Sequence, residues 1–206
     1  MTKATSFSGM EINLIQFLLG HIIEHFAIRE IARHTGIDYK MVHSAIQKLV
    51  QKEVIIKRRQ ANIDLCSLNL KGDLTGVYYA EMLRAKEFLA RHSDLTRFFR
   101  AIHDRVTEIY YTIVIFGSVA KGTQNKESDI DILIVTPLQS TSEEIDRIIH
   151  TEAITLRHKV QTIVLSQTEF IRNLSSNQPN VVIEAFKNHI IITGIEGFYN
   201  GVKKAR

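Results

Sequence analysis

The sequence predicts an α+β protein, in which a mostly helical first part is followed by strands that alternate with helices. Two observations support this fold class. The first seventy residues show helical periodicity and end in two short strand-like runs. From residue 108 onward, runs rich in β-branched residues alternate with amphipathic helical segments. With 206 residues and 45% hydrophobic content, the chain is large enough for two domains with buried cores.

The first seventy residues predict three helices and a hairpin. Helices are expected over residues 11–19, 27–34 and 39–52, the last with Val42, Ile46 and Leu49 on its inner face. Gly36 predicts the end of the second helix, and Asp38 predicts the N-cap of the third. Residues 54–70 predict two short strands that turn near residues 60–62.

This order, helix, helix, glycine turn, helix and hairpin, resembles a winged helix-turn-helix over residues 1–70. Residues 40–59 contain six Lys/Arg and one acid, a balance of +5, whereas the whole chain carries only +4. Such a basic concentration suits a phosphate backbone, and duplex DNA is favoured over RNA because a helix fits the B-form major groove. Contacts to nucleic acid are expected from Tyr39, Lys40, His43, Ser44, Gln47, Lys57, Arg58 and Arg59. A protein-binding winged helix with a solvated basic face is the alternative.

Residues 71–106 predict a helical connector of two segments, over residues 73–91 and 94–106. Both segments carry apolar stripes, which makes the connector too apolar for a flexible tether. The stripes indicate packing between domains or the surface of a homodimer.

The most informative motif is GSVAKG at residues 117–122, followed by SDID at residues 128–131. A buried strand is expected over residues 108–116, after which Gly117 allows a close backbone approach and Ser118 offers a hydroxyl and an N–H. In the next expected strand, over residues 129–136, Asp129 and Asp131 share one face. Two neighbouring carboxylates repel each other, and a divalent cation such as Mg²⁺ (or Mn²⁺) relieves that repulsion.

Each half of the motif alone also fits a simpler interpretation. A Gly-Ser turn is common, an Asp-x-Asp pair can cap a strand, and Lys121 can be an ordinary solvated lysine. Their conjunction favours a site for a nucleotide with its cation.

At these residues the chain resembles the nucleotidyltransferase superfamily that includes DNA polymerase beta and the minimal nucleotidyltransferases. The similarity is close over residues 113–135 and looser to about residue 197. The resemblance implies a mixed sheet flanked by helices over residues 107–206, with Asp129 and Asp131 as the metal-binding catalytic residues. It also implies that Gly117 and Ser118 hold an NTP, which we expect to be ATP. Lys121 and Lys126 flank the motif, and either could neutralise phosphate charge. The implied reaction transfers a nucleoside monophosphate to a hydroxyl and releases pyrophosphate.

The sequence departs from the family pattern at the third carboxylate. Residues 159–165 form the candidate strand, and Gln161 or Thr162 stands where the acid is expected. Glu169 and Glu184 are the candidates to replace it. Two functions therefore stay open. The chain is an enzyme that transfers to a protein or small-molecule acceptor, or it is a DNA-binding regulator whose second domain is a weak or inactive nucleotide sensor. An antitoxin-like role toward a partner protein is a third option.

The rest of the sequence predicts further helices, one more strand and the class of protein. Capping boxes are expected at Ser140 with Glu143 and at Ser166 with Glu169. A helix is expected over residues 181–188 and a short strand over residues 190–193. No apolar run is long enough to cross a bilayer, and no signal-peptide pattern is expected at the start. The single cysteine, Cys66, allows no intrachain disulfide, which fits a cytoplasmic protein.

Overall fold

A computed structural model describes residues 6–107, 110–125, 128–137, 139–156 and 158–205 of the chain. The chain divides into two compact units, Met1–Glu81 and Met82–Arg206. The boundary falls inside the segment predicted as a connector. The division into residues 1–70, 71–106 and 107–206 stays a prediction.

Among its described residues, the first unit contains three helices, a small antiparallel sheet and the start of a fourth helix. The elements are α1 (Gly9–Leu19), β1 (Phe26–Ala27), α2 (Ile28–Thr35), α3 (Tyr39–Gln51), β2 (Ile55–Gln60), β3 (Ile63–Leu68) and α4 (Thr75–Arg91). The strand order is β1-β3-β2. The predicted helices and hairpin are confirmed to within about two residues, whereas β1 was not predicted because two residues carry no periodicity.

Local chemistry explains where these helices begin and end. Gly36 has a φ of +68°, so α2 ends in a left-handed turn that glycine adopts at little cost. The Asp38 carboxylate accepts a hydrogen bond from the backbone N–H of Lys40 at 2.9 Å, which caps α3 as predicted. Apolar side chains from all three helices, including Ile15, Ile31 and Ile46, are fully buried in the core of this unit.

The second unit is a mixed sheet flanked by helices. After the end of α4, its elements are α5 (Ser93–Arg105), β4 (Thr112–Phe116), α6 (Gly117–Lys121), β5 (Ile130–Thr136), α7 (Gln139–Ala153), β6 (Val160–Ser166), α8 (Gln167–Leu174), α9 (Val181–Lys187), β7 (Ile190–Thr193) and α10 (Ile195–Ala205). The order of the described strands is β6-β5-β4-β7. β5 runs parallel to β6, and β4 runs antiparallel to both β5 and β7. The core is formed by strand residues such as Ile115 and Ile132 against Phe98, Ile102 and Ile149 of the helices.

Several predicted bounds change. β4 begins at Thr112, so the predicted strand over residues 108–116 was too long, and its residues 108 and 109 lie outside the described set. Asp129 directly precedes β5 instead of opening it. The capping box of Ser166 and Glu169 is confirmed, whereas that of Ser140 lies outside the described side chains. Across the described ranges, no helix is both long and apolar enough to span a membrane.

Candidate functional site

The turn after β4 and the start of β5 lie side by side in the sheet. Phe116, the last residue of β4, pairs with Asp131 of β5 in antiparallel register. This register places the Asp131 side chain directly against the turn that begins at Gly117. The two halves of the sequence motif therefore meet in space through strand pairing, although fourteen positions separate Gly117 from Asp131 in the sequence.

Gly117 is required at this turn for two reasons. Its φ of +69° lies in the left-handed region, which side chains other than glycine adopt only with strain. A Cβ at this position would also lie 2.1 Å from Oδ2 of Asp131, far inside van der Waals contact. The close approach expected from the sequence is thus realised by the Asp131 carboxylate itself, which packs against the glycine backbone.

The Asp131 carboxylate lies in an environment that disfavours its charge. Partial burial raises its pKa, and the neighbouring carboxylate of Asp129 raises it further. Both effects oppose ionisation, and a cation placed between the two carboxylates would reverse the second. The pair therefore offers the carboxylate oxygens that Mg²⁺ or Mn²⁺ prefers as ligands.

Gln161 occupies the position opposite this pair on the neighbouring strand. It aligns with Asp131 in the parallel register of β5 and β6, and its Nε2 donates a hydrogen bond to Oδ2 of Asp129 at 2.5 Å. Thr162 is engaged elsewhere, since its hydroxyl donates to Oδ1 of Asp146 on α7 at 2.6 Å. Of the two residues proposed from sequence, Gln161 is thus the one beside the aspartates, where it supplies a neutral donor.

The acids considered as replacements have other partners. Glu169 caps α8 through Ser166, which lies at the opposite end of β6 from Gln161. Glu184 accepts a hydrogen bond from Lys187 at 2.9 Å, and this contact lowers its pKa with a smaller contribution from Lys121. Within the described ranges, no cluster of three or more His, Cys, Asp or Glu residues is arranged to hold a metal ion. The structure thus gives neither glutamate the role of a third acid.

The other motif residues surround the same turn. Ser118 is half-buried in α6, where its backbone carbonyl accepts from Thr123 N at 3.0 Å. Lys121, the last residue of α6, is exposed, and Gly122 then ends the helix with a φ of +69°. The charge of Lys121 also lowers the pKa of Glu184 on α9, although less than Lys187 does.

An open cavity of about 530 Å³ adjoins Asp129 and Gln161. Two histidines, His150 at the end of α7 and His158 before β6, also line it, together with Lys159. No sequence signal brings these residues to Asp129, because their proximity depends on the parallel pairing of β6 with β5. None of the three was predicted to lie beside the motif.

In the first unit, the residues predicted to contact nucleic acid lie at the surface to different extents. Tyr39, Lys40, His43 and Ser44 of α3 are exposed, and Gln47 is half-buried. In the hairpin, Arg58 is exposed, while Arg59 forms an ion pair with Asp64 at 3.2 Å and Lys57 lies 3.9 Å from the same carboxylate. Asp64 therefore offsets part of the positive charge counted over residues 40–59.

Comparison with known proteins bears on the second unit only. No curated protein and no solved structure matches the chain. A family model, the nucleotidyltransferase domain, matches residues 95–192, a range that contains Gly117, both aspartates and Gln161. The segment from α5 to β7 is therefore nucleotidyltransferase-like.

Proposed function

We propose that the second unit binds a nucleoside triphosphate with a divalent cation and transfers its nucleoside monophosphate to a hydroxyl acceptor. One observation carries this proposal: Asp131 packs on Gly117 beside Asp129, inside the segment that matches the nucleotidyltransferase domain. Burial, and after it the charge of Asp129, raises the pKa of Asp131. A cation bound by both carboxylates would give them a physical reason to lie together.

Five residues of the motif have a role in this proposal. Asp129 and Asp131 would hold Mg²⁺ or Mn²⁺, which supplies charge neutralisation at the phosphates when bound. Gly117 and Ser118 would border the triphosphate, expected to be that of ATP, and Lys121 would offset its charge. The acceptor is a protein or a small molecule that carries a hydroxyl.

Labelling of an acceptor tests the transfer reaction. ATP labelled at the α-phosphate is incubated with Mg²⁺, cell extract and the purified protein, and a labelled acceptor is expected. The variant Asp129→Ala/Asp131→Ala should give no labelled product. The control Asp104→Ala/Glu144→Ala removes two exposed acids of the same unit and should retain labelling.

The position of Gln161 favours a second candidate function. A neutral amide cannot accept a proton from an attacking hydroxyl, so the domain could bind nucleotide without efficient transfer. In that case the chain is a DNA-binding regulator with a nucleotide sensor. Binding of ATP without any labelled acceptor in the experiment above would select this alternative.

For the first unit we propose a winged helix-turn-helix that binds duplex DNA. The order α1, β1, α2, α3, β2, β3 and the exposed start of α3 support this proposal. In such a module α3 would enter the major groove, and Arg58 would contact phosphate. This module would place the second unit at its site of action or regulate transcription.

A further inference from the structure

We propose that Gln161 is a positioning residue that holds the Asp129 carboxylate and limits the two aspartates to a single divalent cation. This inference rests on the proposed function of the second unit, because it concerns the cation that accompanies the nucleotide. It starts from the hydrogen bond that Nε2 of Gln161 donates to Oδ2 of Asp129 at 2.5 Å.

The sheet brings these side chains to one face. β5 and β6 run parallel, and Gln161 of β6 is aligned with Asp131 of β5. Aligned residues of neighbouring strands point to the same side of a sheet, so Gln161 lies on the face that carries Asp131. Thr162, the next residue of β6, points to the opposite face, where its hydroxyl donates to Asp146. The register of β5 and β6 therefore places the amide beside the aspartates.

The chemistry of the two groups determines which end of the amide faces Asp129. The oxygens of an ionised carboxylate only accept hydrogen bonds, whereas an amide has an NH₂ group that donates and an oxygen that accepts. The contact therefore requires the nitrogen side of Gln161, and a hydrogen lies between the two heavy atoms. A cation cannot enter that space, since it would meet the positive end of an N–H bond. Gln161 thus closes one side of the Asp129 carboxylate.

One oxygen of Asp131 is also turned to a neighbour. Its Oδ2 lies against Gly117, so closely that a Cβ on this glycine would lie 2.1 Å from it. With Oδ2 of Asp129 on Gln161, each carboxylate has one oxygen directed at the protein and one left for a cation. One or two carboxylates, completed by substrate phosphates, are the usual ligands of one Mg²⁺.

A second cation would need more negative charge than this pair supplies. Two-cation sites hold their metals about 3.5–4 Å apart, where doubly charged ions repel each other. Anionic ligands on both sides of the aspartates would offset that repulsion. In the described part of the chain, the side chain that β6 places there is Gln161, which is neutral and presents a hydrogen. The surroundings of the pair therefore suit one cation.

Equilibrium dialysis measures how many cations bind. The probes are Mn²⁺ and an ATP analogue with a methylene group between its α- and β-phosphorus atoms, which blocks transfer. At saturation, wild type should bind a single Mn²⁺ for each bound analogue. Gln161→Asp, which adds a carboxylate in register with Asp131, should bind a second Mn²⁺. The control Gln167→Asp adds the same charge at the start of α8, beyond the opposite end of β6, and should bind no second Mn²⁺.

Gln161→Leu tests the positioning role, because it removes the donor and adds no charge. The affinity for the analogue with Mn²⁺ should fall about tenfold, as expected when a hydrogen bond to a charged group is lost. The melting temperature without ligand should change little, since Gln161 is exposed.

Two results would overturn the limit to one cation: a second Mn²⁺ bound by wild type, or a single Mn²⁺ still bound by Gln161→Asp. Equal affinity of wild type and Gln161→Leu for the analogue would overturn the positioning role. Wild type that binds no analogue would instead remove the proposed function itself.

Discussion

Two groups of like charges lie in this chain, one in each unit, and the fold holds them in different ways. In the second unit, Asp129 and Asp131 are partly withdrawn from water, and the pKa of Asp131 is raised as a result. In the first unit, Arg58 is exposed and Arg59 is 62% exposed beside Asp64. Exposed charges cost little to hold and are found on many surfaces, whereas a partly buried carboxylate beside a second carboxylate is harder to ionise.

Alanine substitution of Gly117 and Gly122, the two glycines with positive φ at the ends of α6, is expected to change stability and ATP binding the most. Gly117 and Gly122 share a φ of +69°, but a Cβ at Gly117 meets Asp131 and one at Gly122 meets no atom within 4 Å. Gly117→Ala and Gly122→Ala should both lose about 1–2 kcal/mol of stability from backbone strain. Gly117→Ala should lose at least about 1 kcal/mol more, because Asp131 must leave its rotamer.

Urea unfolding and ATP binding separate these two contributions. Gly117→Ala should also abolish ATP binding, while Gly122→Ala should keep it within about tenfold, or 1.4 kcal/mol. Equal losses of stability and affinity in the two variants would mean that the contact between Gly117 and Asp131 has no special role.

Removal of the hairpin arginines addresses the basic surface. Arg58→Ala/Arg59→Ala should weaken binding to a mixed-sequence DNA duplex and lower the slope of log affinity against log salt by about 0.9 for each phosphate that is no longer neutralised. Fluorescence anisotropy over a salt series measures both quantities. Arg100→Ala/Arg147→Ala, which removes two exposed arginines of the second unit, should leave the slope unchanged. Binding insensitive to salt would indicate that the basic surface contacts protein.

Removal of the Asp131 charge by Asp131→Asn is expected to change stability the least. Because its pKa is raised in the folded state, the stability associated with this group is complete below its ordinary value of 3.8 and is lost as pH rises through the raised value. Asp131→Asn should therefore raise the melting temperature at pH 7 without metal, by no more than a few degrees for a chain of this size.

The pH dependence provides the check on that explanation. The gain from Asp131→Asn should shrink as pH falls toward 3.8, since the wild-type carboxyl is then protonated as well. Asp104→Asn, an exposed aspartate on α5, should show no such gain at pH 7. A melting temperature lowered by Asp131→Asn at pH 7 would show that the carboxylate stabilises the fold.

The parts of this structure that the sequence predicted are those encoded locally. The strand before Gly117, the Gly117 turn and the Asp-x-Asp spacing each depend on neighbouring residues. The same holds for the Asp38 cap and for the end of α2 at Gly36. Pairings between distant segments were not predictable. Whether Gln161 or Thr162 faces the aspartates depends on the register of β6 against β5, and a shift of one residue would exchange them.

The same limit applies to the charges of the hairpin and to the cavity beside Asp129. The count of charges over residues 40–59 omitted Asp64, because Asp64 lies on the next strand. Only the antiparallel register of β2 and β3 places it opposite Arg59. His150 showed no sequence signal, since its partner Thr162 lies twelve positions away on β6. Long-range pairing thus decided both the compensation of the hairpin charge and the surroundings of the aspartates.

Calorimetric titration of the purified protein with ATP, in the presence and absence of Mg²⁺, is the decisive experiment for nucleotide binding by the second unit. Wild type is expected to bind ATP saturably and only with Mg²⁺, and Asp129→Ala/Asp131→Ala should not bind it. Binding of equal strength in the double variant, or no binding to wild type with any nucleoside triphosphate and either Mg²⁺ or Mn²⁺, would contradict the proposed role of the aspartates.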